Sequence, residues 1–134
     1  MNNIFITYCS WQKDEAIRDA KAKVSVDQLY TSPRIIQFIE KCQAEKVIWG
    51  ILSDKHGICF EKQEYEWYDL HPGSLTVDEI EQLKVKVVQQ LACFSKIYFY
   101  APTVDLHPVY QKIIDETPLK NKTQWLTRLE EIMF

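Results

Sequence analysis

Val47-Ile48-Trp49-Gly50-Ile51-Leu52-Ser53-Asp54-Lys55-His56-Gly57 is the stretch whose reading decides the fold. Its first six residues are almost all apolar, rich in β-branched and aromatic types, and too few for an ordinary helix. They lack the alternation of a half-exposed strand. Such a run reads as a strand covered on both faces, the pattern of a parallel sheet. The five residues that follow are abruptly polar, so the strand ends in a loop. Two further runs read the same way: Ile4-Phe5-Ile6-Thr7-Tyr8-Cys9 before it and Ile97-Tyr98-Phe99-Tyr100-Ala101 after it.

The segments between these strands carry helix signals. Ser32-Pro33 offers an N-cap followed by proline at the first helical position, where its missing N–H costs nothing. The helix is predicted to run to about Ala44 with Ile35, Ile36, Ile39 and Cys42 along one side. Thr76-Val77-Asp78-Glu79 is a capping-box pattern. Behind it Ile80, Leu83, Val87, Leu91 and Phe94 recur at helical spacing. A further helix is expected from Leu106 to Glu116, stopping at Thr117-Pro118. A terminal one is expected from Thr123, with Trp125, Leu129, Ile132 and Met133 as its stripe. Asp14 to Asp27 is polar and suits either a helix or a loop. Glu61 to Leu70 reads as irregular, with one short strand around residues 65 to 68. Strand and helix thus alternate, and the expected architecture is a single α/β domain over residues 1–134, three-layered and Rossmann-like, with a mostly parallel central sheet.

The 134 residues suffice for a core of this kind without metal or disulfide support. A formal net charge of −3 argues against a strongly basic nucleic-acid binder, although a local basic patch remains compatible with it. The four cysteines, at 9, 42, 59 and 93, form no C-x-x-C pair, so neither a zinc ribbon nor a thioredoxin-type centre is expected. Cys9, Cys42 and Cys93 lie in or beside apolar runs and are expected as reduced, hydrophobe-like thiols. No stretch approaches the ~20 apolar residues of a membrane span, and the start lacks a signal peptide's basic and apolar regions. The expected location is the cytoplasm, with no membrane partner.

In open parallel sheets ligands bind beyond the carboxyl ends of the strands. Here those ends are Cys9-Ser10-Trp11, Ser53-Asp54-Lys55-His56-Gly57 and Ala101-Pro102-Thr103. The second places a hydroxyl, a carboxylate, an amine and an imidazole within five residues, with Gly57 free to turn at positive φ. His56 titrates near neutral pH and suits general acid–base work; Asp54 suits positioning water or stabilising charge. The plainer role for this loop is a solvated turn. Asp69, in Tyr68-Asp69-Leu70-His71-Pro72, suits capping or ligand binding, and His107 reads as part of a helix start. No glycine-rich phosphate loop, G-x-S-x-G elbow or H-E-x-x-H occurs, and neither a metal site nor a cofactor is expected.

Taken together, Cys9-Ser10-x-x-Lys13, Leu29-Tyr30-Thr31-Ser32-Pro33, Ile51-Leu52-Ser53-Asp54-Lys55-His56-Gly57 and Tyr68-Asp69 resemble a bacterial, archaeal and phage family without an assigned activity. Its pattern is a Cys-Ser-x-x-Lys start, a Leu-Tyr-x-Ser-Pro helix entry and an Ile-Leu-Ser-Ala-Lys-Tyr/His-Gly loop; this chain has Asp54 at the alanine. The motifs are more distantly similar to peroxide-stress proteins of the YaaA type and to the uracil-DNA-glycosylase-like domain of archaeosine synthase. That resemblance implies a uracil-DNA-glycosylase-like variant of the fold and chemistry on a purine-like, 7-deazaguanine-related base, a nucleotide or a nucleic acid carrying one. It also implies that Lys13 holds the position of a nucleophilic lysine. Its neighbours Asp14-Glu15 instead favour a charged ammonium, and both roles stand open.

Three functions follow. An enzyme acting on a base would surround it with Cys9, Ser10, Ser53, Lys55, His56 and Asp69, with Trp11 or Tyr68 stacked on the ring. A non-catalytic module holding a nucleotide or nucleic-acid end would use Lys21, Lys23 and Arg34 near the Ser32 helix start to meet phosphate. A homodimeric scaffold would work through the terminal stripe; monomer and homodimer are both compatible with the sequence.

Overall fold

The computed structural model describes residues 2–9, 23–66, 72–102 and 106–133. The three buried runs are strands: β1 (Asn3–Tyr8), β3 (Trp49–Ser53) and β6 (Lys96–Tyr100). Between them lie β2 (Lys23–Ser25), α1 (Val26–Leu29), α2 (Pro33–Glu45), β4 (Gly57–Phe60), β5 (Glu64–Glu66) and α3 (Val77–Gln90). After β6 come α4 (Pro108–Asp115) and β7 (Thr123–Leu126), with short 3-10 turns at Pro72–Ser74, Pro118–Lys122 and Leu129–Glu131.

The five-stranded sheet has the order β4-β3-β1-β6-β7. β1 is central and parallel to both neighbours, in register from Phe5↔Trp49 to Tyr8↔Leu52 on one side and from Asn3↔Lys96 to Thr7↔Tyr100 on the other. The chain therefore leaves β1 toward β3 and later returns past it to β6. Right-handed crossovers in opposite directions put their helices on opposite faces. The contacts agree: α2 packs on β1 and the 129–131 turn, whereas α3 and α4 pack on each other. This is the α/β architecture with a mostly parallel sheet that the strand and helix order predicts. β2 and β5 form a separate antiparallel pair.

Local signals act where expected. Pro33 opens α2, and the box at α3 closes in both directions, with Glu79 N donating to Thr76 Oγ1 (3.1 Å) and Thr76 N to Glu79 Oε1 (2.9 Å). His107 caps α4, its Nδ1 accepting from Val109 N at 3.2 Å. On α2, Ile35, Ile39 and Cys42 are buried, but Phe38 replaces Ile36, which is exposed.

Four expectations are corrected. Gly57 does not merely end a loop: it begins β4, an antiparallel edge strand paired from Gly50↔Phe60 to Ser53↔Gly57. Its φ of +72° admits glycine, and the outer edge beyond it is closed by Gln90, which accepts from Ile58 N (2.7 Å) and donates to Ile58 O (3.0 Å). The segment from Thr123 is not a helix but β7, parallel to β6 from Ile97↔Thr123 to Tyr100↔Leu126. The open edge of β6 offers a ladder of backbone partners, and this outweighs a helical spacing of four apolar residues. Trp125 accordingly packs on Phe99, ring centroids 4.5 Å apart, instead of joining a helical stripe. Among the thiols, Cys59 is buried and Cys93 exposed, because Cys93 follows the end of α3. The short strand in the 61–70 segment lies earlier than expected, at Glu64–Glu66, while Lys23–Ser25 of the open polar stretch is its partner.

Candidate functional site at the carboxyl ends of β1 and β3

Because the crossovers diverge on either side of β1, the carboxyl ends of β1 and its neighbours form a switch point, the position at which open α/β sheets bind their ligands. The β1–β3 ladder extends one residue past β1, with Cys9 N donating to Leu52 O at 2.9 Å. That bond carries Cys9 alongside Ser53 and Asp54. The Cys9 thiol donates to Asp54 Oδ1 at 3.8 Å, and it lies 3.0 Å from the phenol oxygen of Tyr110 on α4. Thiol, carboxylate and phenol thus meet from three elements, with Asp54 only 4% and Cys9 9% exposed.

A cation stands beside them. Arg34, in the first turn of α2, donates to Thr7 Oγ1 (2.8 Å), Tyr8 O (2.9 Å) and Cys9 O (3.4 Å), and its guanidinium lies 3.7 Å from the centroid of the Tyr8 ring. Thr7 in turn donates to Tyr100 O at 2.6 Å, so the guanidinium is tied to β1 and, through Thr7, to β6. A planar fork suits this many-sided anchoring, which lysine's point charge does not.

Burial is the largest influence on the ionisable groups here. It pushes the Tyr110 phenol well above its ordinary range, reinforced by the neighbouring Cys9 and Asp54, so the phenol keeps its proton. Burial, then the nearby Cys9, holds the Cys59 thiol up to about 12; Cys42 is likewise pushed up to about 12 by burial and then Glu61. Both are inert thiols at neutral pH.

The expected residues divide. Cys9 and Asp54 are brought together. Ser53 is fully buried and works for the turn, its Oγ accepting from Lys55 N (3.1 Å) and His56 N (3.2 Å). Lys55 is exposed, and His56 is half-buried with its ring 5.1 Å from that of Tyr65. Ser32 is buried at the N-cap position of α2 without a side-chain cap bond; its carbonyl accepts from Ile36 N. Ser10, Trp11, Lys13, Lys21, Tyr68 and Asp69 lie outside the described residues. Tyr110 and the inward use of Arg34 were missed. Arg34 stands directly after Ser32-Pro33, so its place at a helix start was visible, but Tyr110 looks like one more buried aromatic. Among the described residues no group of three or more His, Cys, Asp or Glu side chains is placed to hold a metal. No helix of the described residues is long and apolar enough to cross a membrane.

Fold and site define an α/β protein with a buried polar cluster at the strand ends of a mostly parallel sheet. Residues 4–124 match the model of DUF6884, a family of unknown function, and the chain belongs to that family. Neither a curated protein nor a solved structure shows significant similarity to it.

Proposed function

We propose that this protein binds, and acts on, a purine-like base or a nucleotide or nucleic acid carrying one, at the carboxyl ends of β1 and β3. The observation that carries the reading is the burial of Asp54 beside Cys9 at the switch point. A carboxylate in such a place accepts the adjacent N–H donors that a purine edge presents, while water competes poorly. Arg34 supports the same reading: its half-buried guanidinium, held beside the strand ends, is a cation suited to a phosphate. Function rests on such sites rather than on the fold that carries them.

The test is a low-salt thermal-shift panel of purine and pyrimidine bases, 7-deazaguanines, nucleotides and short DNA and RNA. A ligand at 100 times its Kd stabilises the folded state by about 2.7 kcal/mol. Stabilisation by a base or nucleotide that Asp54→Asn and Arg34→Ala both abolish supports the reading, and turnover of that ligand then separates enzyme from binding module. Stabilisation by oligonucleotides alone, falling steeply with salt, favours the module. No shift with any member of the panel overturns the reading.

A further inference from the structure

We propose that Cys9 is a nucleophile that adds to an electrophilic, unsaturated carbon of the ligand held at the strand ends, with Asp54 receiving its proton and Tyr110 donating to the sulfur. The inference rests on the site described above and assigns its chemistry. A thiol attacks as thiolate, so a nucleophilic cysteine needs a base for its proton and a donor for the charge left behind. Cys9 has both in contact: the carboxylate of Asp54 on one side and the phenol of Tyr110 on the other. Because burial keeps the phenol protonated, it remains a donor throughout the neutral range. Arg34 holds the Cys9 carbonyl and the strand end in place. The other buried thiols, Cys42 and Cys59, share the core cluster with Cys9 and are both pushed up to about 12; Cys59 has the Tyr65 phenol as a partner, and it is the pairing of a carboxylate with a phenol that distinguishes Cys9.

The step balances without a redox partner. The Sγ–C bond forms as the π bond of a carbonyl, imine or nitrile breaks toward its heteroatom. The thiol proton passes to Asp54 and from there to that heteroatom. The substrate class is therefore a small molecule or base bearing an unsaturated carbon bonded to oxygen or nitrogen.

The test is alkylation of the folded protein by iodoacetamide, followed cysteine by cysteine with peptide mass spectrometry. Here iodide leaves as the Sγ–C bond forms. Cys9 is expected to alkylate while Cys42 and Cys59 stay unmodified, the exposed Cys93 serving as an internal clock. Asp54→Asn should slow Cys9 by about tenfold or more, and Tyr110→Phe by less, with Cys93 unchanged. Should Asp54→Asn fail to fold, Cys42 and Cys59 will become reactive and reveal it, and Tyr110→Phe with the wild-type comparison then decides. A Cys9 as inert as Cys42 and Cys59, or one whose rate neither variant alters, overturns the proposal. Asp54-dependent alkylation with no ligand response leaves the nucleophile standing and removes the base-binding reading; a ligand response with an inert Cys9 does the reverse.

Discussion

In the middle of β1 and β3, Ile4, Ile6 and Ile51 are completely buried among apolar side chains; at the ends of the same strands Cys9, Ser53 and Asp54 are nearly as buried but polar. The middle gains stability from every atom removed from water. At the end, each polar group must recover what it loses on desolvation from a specific partner: Ser53 from two backbone amides, Cys9 from Asp54 and Tyr110. An apolar end would be simpler to build and at least as stable. Under the proposed function, a binding site at the strand ends requires that cost in stability, and the middle offsets it.

Four variants break or sharpen that contrast. The largest effect is expected from Ile51→Ala, which opens a cavity at the centre and should cost about 2–5 kcal/mol in urea unfolding with an unchanged slope. Gly50→Ala comes next, at about 1–3 kcal/mol. Its new Cβ would lie 2.7 Å from Ile58 Cγ2 and 3.2 Å from the Cys59 carbonyl, so β3 and β4 would have to part. Tyr110→Phe, at the polar end, should stay within about 1 kcal/mol of the parent, because a thiol is a weak hydrogen-bond partner. A loss as large as that of Ile51→Ala would make the cluster a structural device and erase the contrast.

The smallest effect concerns a charge pair away from both regions. Lys84 Nζ sits 2.7 Å from Glu116 Oε1 and 3.0 Å from Glu81 Oε1, tying α3 to the end of α4. The ammonium holds Glu116 below its ordinary 4.5, so this carboxylate's contribution is present above that value and fades as pH falls through the lower folded one. The carboxylates hold Lys84 above its ordinary 10.5, so its contribution is full below that value and is lost only as pH rises through the higher one. Glu116→Gln should therefore lower the Tm slightly and evenly across neutral pH, and the difference should narrow only in acid. A difference that varies across neutral pH would show that another group titrates with the fold.

Legibility followed the range of each interaction. The three buried strands, the Pro33 helix start and the Thr76–Glu79 capping box depend on neighbours a few residues apart, and all three features are readable without knowing the fold. β4 escaped notice because Gly57-Ile58-Cys59-Phe60 is only four residues long and depends on Gln90, 32 residues away, for its outer edge. The apolar spacing of β7 is helical and so points to a helix, while its actual partner is the free edge of β6. The site divides in the same way. Cys9 and Asp54 could be named as strand-end residues, but Tyr110, 101 positions from Cys9, could not.

The sequence by itself determined which segments must be buried and where the polar strand ends fall, since composition and spacing decide burial locally. Only the tertiary structure decided which of those ends are neighbours. Strand order, the crossover that returns the chain past β1, and the helix that carries Tyr110 to Cys9 arise from long-range pairing, in which distant segments compete for the same open edge and no short window of residues contains the outcome.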